Sequence, residues 1–326
     1  MYERWTVDNG SGSPTTTASL APGYSYDPTI PAENNYILFV HGWNLAPWER
    51  DAFAETAFKR LYWQGYKGHF GAFQWPTLTG NTTFDQSELL AWQSAEGLRK
   101  KLDDLNSSYA GNVYLMAHSM GNVVAGEALR LEGPNQPVNT YIAMQAAIAS
   151  HAYDPNTPTR SLGIAGIYDD HTPNCYAHYW TNGASCYFNS NVGAITYVNF
   201  YNPLDYALVS ATFSWEFDQD SKPDTARGYG FIQDTGQFFK DNFNTELVFP
   251  YDRYEILSAC DEARCHALGA QADVNGVFSQ GQEVDLQATF GFGSEHKDHS
   301  GEFNSDNMNR WQFWNTLLYT SFGLTR

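Results

Sequence analysis

Three things are scarce in this sequence of 326 residues: basic side chains, cysteines and long apolar runs. Lys and Arg together number 18 against 36 Asp and Glu, so the formal net charge at pH 7 is −18. A surface this acidic repels nucleic-acid phosphates and anionic lipid headgroups, so we expect both to be poor partners. No apolar run approaches the roughly 18 residues that a membrane helix needs, so we expect no stable membrane insertion.

The four cysteines form two close pairs, Cys175 with Cys186 and Cys260 with Cys265. This spacing favours two local disulfides in loops, although crossed pairings stay open. Disulfides form in oxidising compartments, so we expect a secreted or extracellular protein. No signal peptide is visible in the chain, and we therefore expect an export signal to have been removed.

Two segments bear on metal binding. The run CDEARCH, residues 260–266, combines two cysteines with a histidine but lacks the C-x2-C spacing and the fourth ligand of a zinc site. The run DQDSKPD, residues 218–224, alternates carboxylates but lacks the glycine and the bidentate glutamate of an EF-hand loop. We predict loops at both places, and we expect neither a metal nor a cofactor.

Short apolar runs alternate with amphipathic segments along most of the chain. The predicted strands are 36–40, 68–75, 113–117, 141–148 and 195–201, with a final strand near 285–292. The predicted helices cover 47–65, 84–105, 120–131 and a C-terminal segment, 306–322. This alternation predicts βαβ units and a mostly parallel sheet with helices on both faces.

The composition divides the chain into an arm and one domain. Residues 8–34 are rich in Ser, Thr, Pro, Gly and Asn, and we predict an N-terminal arm or linker over residues 1–35. Residues 36–326 are predicted to form a single α/β domain. Two stretches, 149–193 and 206–284, carry turn residues, aromatics and all four cysteines. We predict that both are loop-rich insertions over one edge of the sheet.

The junction VYLMAHSMGNVVAGEALR, residues 113–130, runs from a predicted strand into a predicted helix with a serine between them. A turn this tight needs small residues two places before and two places after the serine, and these are Ala117 and Gly121. The pattern predicts a nucleophile elbow that presents Ser119 at the carboxyl edge of the sheet, above the positive end of the helix. An ordinary N-cap serine is the structural alternative.

Together with FVHGW, residues 39–43, this junction resembles the α/β-hydrolase superfamily, and within it the lipases and esterases. Ala117 stands where the G-x-S-x-G motif has its first glycine, a substitution that some bacterial lipases share. The resemblance covers residues 36–148 and, in outline, the C-terminal end. It implies the α/β-hydrolase fold and an oxyanion hole formed by the backbone N–H groups of Trp43 and Met120.

The resemblance also implies that an acid and then a histidine follow the serine along the chain. Asp205 is the first carboxylate after the strand at 195–201 and is the favoured acid. Other candidates lie in the first insertion: Asp154, Asp169 and Asp170. Two histidines precede the terminal helix, His296 and His299, and the small residues after His299 favour it as the base.

These residues imply a serine hydrolase that cleaves a neutral or apolar carboxylic ester through an acyl-enzyme. In this hypothesis Ser119 attacks, His299 transfers the proton and Asp205 orients His299. The same residues would equally serve a hydrolase of amides, thioesters or polyesters, because specificity depends on the insertions. A non-catalytic module that binds a polymer through its many aromatic residues is the alternative of a different class.

Overall fold

The computed structural model describes residues 2–22, 33–80, 83–131, 137–148, 195–209, 267–270, 282–293, 296–303 and 308–324. Within these ranges an eight-stranded sheet has the order β2-β1-β4-β3-β5-β6-β7-β8. In chain order its strands are Tyr2–Thr6 (β1), Ser19–Leu20 (β2), Tyr36–Val40 (β3), His69–Gln74 (β4), Val113–His118 (β5), Thr140–Met144 (β6), Thr196–Tyr201 (β7) and Gln282–Asp285 (β8). The pairing of β1 with β2 is antiparallel and the remaining pairings are parallel.

Helices cover both faces of the sheet. In chain order they are Pro47–Trp63 (α1), Phe84–Ser108 (α2), Gly121–Arg130 (α3), Tyr206–Val209 (α4), Leu286–Phe290 (α5) and Met308–Thr316 (α6), with a π-helical turn over Leu317–Ser321. Pro47 fixes the first turn of α1, and Glu49 accepts the Ala46 N–H at 2.7 Å. In the described part of the chain, no helix is both long enough and apolar enough to cross a bilayer.

The alternation of side chains along β3 shows why the sheet has a core on each face. Tyr36, Leu38 and Val40 belong to the cluster that packs against α2 and α3. Ile37 and Phe39 belong to the cluster that packs against α1 and α6. Successive strand residues point to opposite faces, and a strand that is covered on both faces is apolar throughout. The predicted α/β-hydrolase fold, with a mostly parallel sheet between helical layers, is confirmed.

The register brings the carboxyl ends of the central strands together at one edge of the sheet. Ala117 lies beside Val40, and Met144 lies between His118 and Phe200. Residues that directly follow β3, β5, β6 and β7 therefore meet at this edge, which is where open α/β sheets bind their ligands.

The prediction of an arm over residues 1–35 is wrong for residues 2–7. The segment Tyr2–Thr6 forms β1, which pairs with β4 over its whole length, and Val7 is 1% exposed. Trp5 also donates its indole N–H to the Tyr36 hydroxyl at 3.0 Å. The strand was not predicted because the residues after it are polar and its own residues are held by pairing with β4.

The predicted final strand at 285–292 is also wrong, because β8 ends at Asp285 and α5 begins there. The Asp285 carboxylate accepts the Ala288 N–H at 2.9 Å, so it caps the helix and ends the strand. Gly291 ends this helix with a left-handed φ of 67°.

Most of the two predicted insertions, including all four cysteines, lies outside the described residues. Within the second insertion, α4 and the 3-10 turn Leu268–Ala270 are described. This turn bonds to the sheet edge, since Gly269 donates its N–H to Ala146 at 2.9 Å and accepts the Asn202 N–H at 2.9 Å. The turn is therefore part of the carboxyl edge of the sheet.

We expect Val7→Asp to destabilise the protein, because it buries an unpaired carboxylate among apolar side chains. The melting temperature should fall by roughly 5–10 °C, which corresponds to about 3 kcal/mol for a chain of this size. Asn9→Asp makes the same change of charge at an exposed position nearby and is the matched control. Equal melting temperatures for the two variants would contradict the place of residues 2–7 in the core.

Candidate active site

Ser119 lies in the tight turn between β5 and α3. Its φ of 52° is left-handed, which is unfavourable for a residue with a side chain. The Ser119 N–H donates to the Met144 carbonyl at 3.0 Å, and its own carbonyl accepts the Ala147 N–H at 3.2 Å. The end of β6 thus holds the serine in this conformation.

Close packing explains why the turn needs small residues. A Cβ on Gly121 would lie 2.5 Å from the His41 carbonyl oxygen and 2.7 Å from that of Val40. A Cβ on Gly42 would lie 2.9 Å from Cβ of Ser119. The loop after β3 therefore packs directly on the elbow, as the sequence pattern predicts for residue 121.

Asn122 secures the same turn from inside α3. Its buried side-chain amide donates to the carbonyls of Ala117 at 3.1 Å and Ser119 at 2.9 Å, and its oxygen accepts the Tyr141 hydroxyl at 2.6 Å. Asn122 is a site residue that was not predicted from the sequence. Its place directly after the elbow is the signal that was available.

The side chains of Ser119, His299 and Asp205 form a continuous series of hydrogen bonds. Ser119 Oγ lies 2.9 Å from His299 Nε2, and His299 Nδ1 lies 2.7 Å from Asp205 Oδ2. In the neutral imidazole, Nδ1–H donates to the carboxylate and Nε2 accepts the serine proton. The structure thus brings together the three residues that the sequence analysis favoured.

The alternative acids Asp154, Asp169 and Asp170 lie outside the described residues, as does the side chain of His296. Asp205 follows β7 and precedes α4, and His299 lies in the 3-10 helix His296–Ser300.

The environment of His299 favours its protonated form. Burial alone lowers the pKa of the imidazole, but the charge of Asp205 and its hydrogen bond outweigh this effect and raise the pKa above 6.5. The Asp205 side chain is fully buried, whereas that of His299 is 15% exposed. The imidazole is therefore partly exposed, and the acid to which it is hydrogen-bonded is not.

Gln145 holds the acid and was also missed by the sequence analysis. Its Nε2 donates to Asp205 Oδ2 at 2.6 Å and to the Asp298 carbonyl at 3.0 Å. The other oxygen of Asp205 accepts the Ala207 N–H at 2.9 Å in the first turn of α4. Both carboxylate oxygens of the acid are thus hydrogen-bonded.

The loop after β3 is fixed by His41, whose ring stacks on Trp75 at 5.3 Å. His41 Nε2 accepts the Trp75 N–H at 3.3 Å, so Nδ1–H donates to the Gly42 carbonyl at 2.8 Å. Burial, followed by the charge of Arg50, lowers the pKa of His41 to about 3, so the ring is neutral. The predicted oxyanion donors Trp43 and Met120 directly follow Gly42 and Ser119 in the chain, and their role stays a prediction.

Residues 29–147 match a family model described as "Alpha/beta hydrolase of unknown function (DUF900)". The match spans β3 to β6, and with them the elbow and the loop after β3. Over these residues the chain is similar to the α/β hydrolases, and its mostly parallel sheet has the α/β-hydrolase fold.

Three solved structures are similar to parts of this chain. The mature lipase BlEst2 of Bacillus licheniformis is 17% identical over 56% of this chain and 70% of its own, with a TM-score of 0.30. Phospholipase PlaB of Legionella pneumophila is 12% identical over 57% of this chain and 41% of its own, with a TM-score of 0.32. An extracellular α/β-hydrolase from a Paenibacillus species is 11% identical over 51% of this chain and 77% of its own, with a TM-score of 0.25. No curated protein matches the chain.

Two further ionisable groups of this α/β-hydrolase lie beside His299. His118 Nε2 donates to the His299 carbonyl at 2.7 Å, and burial with the nearby His299 lowers the pKa of His118 to about 3. Glu302 is fully buried, and its Oε1 lies 3.7 Å from His118 Nε2. The carboxyl oxygens of Glu302 bond to no other described residue, and burial raises the pKa of Glu302 to about 8. Glu302 is therefore protonated and uncharged at pH 7.

Among the described residues, no group of His, Cys, Asp and Glu side chains could hold a metal ion. The segments 218–224 and 260–266, which the sequence analysis weighed as metal sites, lie outside these residues.

We expect Glu302→Gln to change how stability depends on pH. The carboxyl ionises near pH 4.5 in the unfolded chain and near pH 8 in the folded protein. Between these values the Glu302 carboxyl carries a proton in the folded protein but not in the unfolded chain. The stability that Glu302 contributes is therefore complete below pH 4.5 and is lost as the pH rises to about 8. Glutamine cannot ionise, so the melting temperature of the variant should fall less than that of the wild type between about pH 5 and 9.

The matched control is Glu96→Gln, which neutralises an exposed carboxylate on α2. Its melting curve should follow that of the wild type across the same pH range. Parallel curves for Glu302→Gln and the wild type would contradict the raised pKa of Glu302.

Proposed function

We propose that this α/β-hydrolase is a serine hydrolase that cleaves carboxylic esters through an acyl-enzyme. The observation that carries the proposal is the series of hydrogen bonds from Ser119 through His299 to Asp205, at 2.9 and 2.7 Å. A serine hydroxyl is a weak nucleophile, and it needs an adjacent base that is itself oriented by a third group.

In the acylation step, Ser119 Oγ attacks the ester carbonyl carbon while its proton passes to His299 Nε2. Asp205 holds the proton on His299 Nδ1 and stabilises the imidazolium that forms. The backbone N–H groups of Trp43 and Met120 donate to the developing oxyanion, an interaction whose loss typically costs about 10²–10³ in rate.

The tetrahedral intermediate collapses when His299 Nε2–H protonates the leaving alkoxide and the alcohol departs. A water molecule then gives a proton to His299 Nε2 and attacks the acyl carbon. The second collapse releases the carboxylic acid and returns the proton to Ser119 Oγ. These steps balance without a cofactor.

The surface near the site supports a neutral or apolar substrate. Three exposed apolar residues lie in segments that follow parallel strands of the sheet: Trp48 after β3, Leu78 after β4 and Leu204 after β7. The net charge of −18 disfavours anionic substrates over the whole surface.

The same three residues would equally serve to cleave amides, thioesters or polyesters. Rates of hydrolysis measured over a panel of leaving groups separate these alternatives from simple esters. A secreted location and the two local disulfides also stay predictions, because all four cysteines lie outside the described residues.

We expect a fluorophosphonate to label the wild-type protein covalently and Ser119→Ala to be unlabelled, because the nucleophile is lost. Turnover of p-nitrophenyl esters, from acetate to palmitate, should fall by several orders of magnitude in this variant. Ser94→Ala, which removes another buried serine hydroxyl on α2, is the matched control and should keep both properties. An unlabelled wild type that turns over no ester would favour the non-catalytic binding module.

We expect Asp205→Asn to lower kcat by about 10⁴, because asparagine holds the imidazole in the wrong tautomer. The loss of the carboxylate charge should also lower the pKa of His299, which moves the acid limb of kcat/KM to lower pH.

Asp285→Asn is the matched control, because Asp285 likewise accepts a backbone N–H at the start of a helix but contacts no candidate residue of the site. If Asp205 were merely a capping carboxylate, the two variants would have the same small effect on turnover.

A further inference from the structure

We propose that Gln145 is a positioning residue that holds the acid and the base of this site in register, an inference that rests on the proposed function. Gln145 follows β6, the strand next to the one that carries Ser119. It takes no part in bond making, and it acts through Asp205 and the segment of His299.

One amide nitrogen joins two segments that are far apart in the chain. Gln145 Nε2 lies 2.6 Å from Asp205 Oδ2, the oxygen that also accepts His299 Nδ1–H at 2.7 Å. The same nitrogen lies 3.0 Å from the carbonyl of Asp298, the residue before the base. Its two N–H groups therefore tie the acid to the backbone of the base.

The backbone of Gln145 is held in an unfavourable conformation. Its φ is 42°, which is left-handed for a residue that is not glycine. The Gln145 N–H donates to the Phe200 carbonyl at 2.9 Å, and Gly269 packs so closely that a Cβ there would lie 2.2 Å from the Gln145 carbonyl carbon. Strain of this kind persists only where the surroundings enforce it, and here they direct the side chain towards Asp205.

The amide also acts on the charge of the site. Its N–H dipole points its positive end at the carboxylate, which weakens the attraction between Asp205 and a protonated His299. Among the described residues, the other charged or titratable groups around His299 are His118 at the end of β5, Glu302 and Asp298 on its own segment, and Arg310 of α6, which pairs with Asp298 at 3.0 Å. Removing the amide donor while these groups stay in place should therefore raise the pKa of His299.

The test replaces Gln145 by methionine, which keeps the length of the side chain and removes both donors. We expect the pKa of His299, measured by NMR titration of the imidazole without substrate, to rise by roughly 0.5–1 unit. We also expect kcat/KM for a p-nitrophenyl ester to fall by about 10–100-fold, because the acid and the base lose their common support.

Gln64→Met is the matched control. Gln64 is also buried, and its amide donates to the Trp311 carbonyl at 3.1 Å and accepts from Asn315 at 2.9 Å, at the C-terminal end of α1. This variant loses comparable hydrogen bonds at a place remote from the carboxyl edge. The pKa of His299 and kcat/KM should both stay at wild-type values.

Gln145→Leu is the second variant, and it carries the test if the methionine variant does not fold. Leucine likewise removes both N–H donors, so the pKa of His299 should rise by a similar amount as in Gln145→Met. An unchanged pKa of His299 and an unchanged kcat/KM in a folded Gln145 variant would overturn the proposal, as would a lower melting temperature without either change.

The NMR titration also separates this proposal from the proposed function. It reports on His299 without any substrate, so it decides the role of Gln145 even in a protein that turns over no ester. A wild type that is neither labelled at Ser119 nor active on esters would overturn the proposed function by itself.

Discussion

The left-handed turn at Ser119 is the constraint on which the arrangement of the site depends. The turn leaves room for no side chain at residue 121, because the carbonyls of Val40 and His41 lie within 2.7 Å of where a Cβ would be. This close approach fixes the loop after β3, which carries the predicted oxyanion donor Trp43. The bond from Ser119 N–H to Met144 fixes the end of β6 in the same way. Local strain at one residue thus sets the relative positions of three strand ends.

Burial gives the site a simple distribution of charge. The rings of His41 and His118 are both neutral, because their pKa values are lowered to about 3, and Glu302 is neutral at pH 7 because its pKa is raised to about 8. A charged His118 would oppose protonation of His299, whose ring centroid is 5.2 Å away. Among these groups, only His299 combines a raised pKa with a partly exposed side chain. Of these groups, His299 is also the one that lies within hydrogen-bond distance of Ser119 Oγ.

The sequence predicts the fold and the three bonded side chains because the signals that locate them are local. Ser119 lies in a strand-to-helix junction, Asp205 follows a buried strand, and His299 precedes the last helix. The sequence did not predict β1, because its five residues are held by pairing with β4 and not by their own apolar pattern. Glu302 was missed for a similar reason, since its raised pKa arises from burial that only the packed chain produces.

Gln145 is the missed site residue for which the sequence contains the clearest signal. The predicted strand at 141–148 ends at Met144 in the structure, because the left-handed φ of Gln145 breaks it. After Tyr141, which begins the run YIAMQAAI, Gln145 has the only polar side chain in it. A buried amide needs hydrogen-bond partners, and a residue that follows a parallel strand finds them at the carboxyl edge of the sheet. Its partner Asp205 lies 60 residues further along the chain. An isolated amide at the end of an apolar run therefore points to a polar network at that edge, even when the partner itself cannot be read from the sequence.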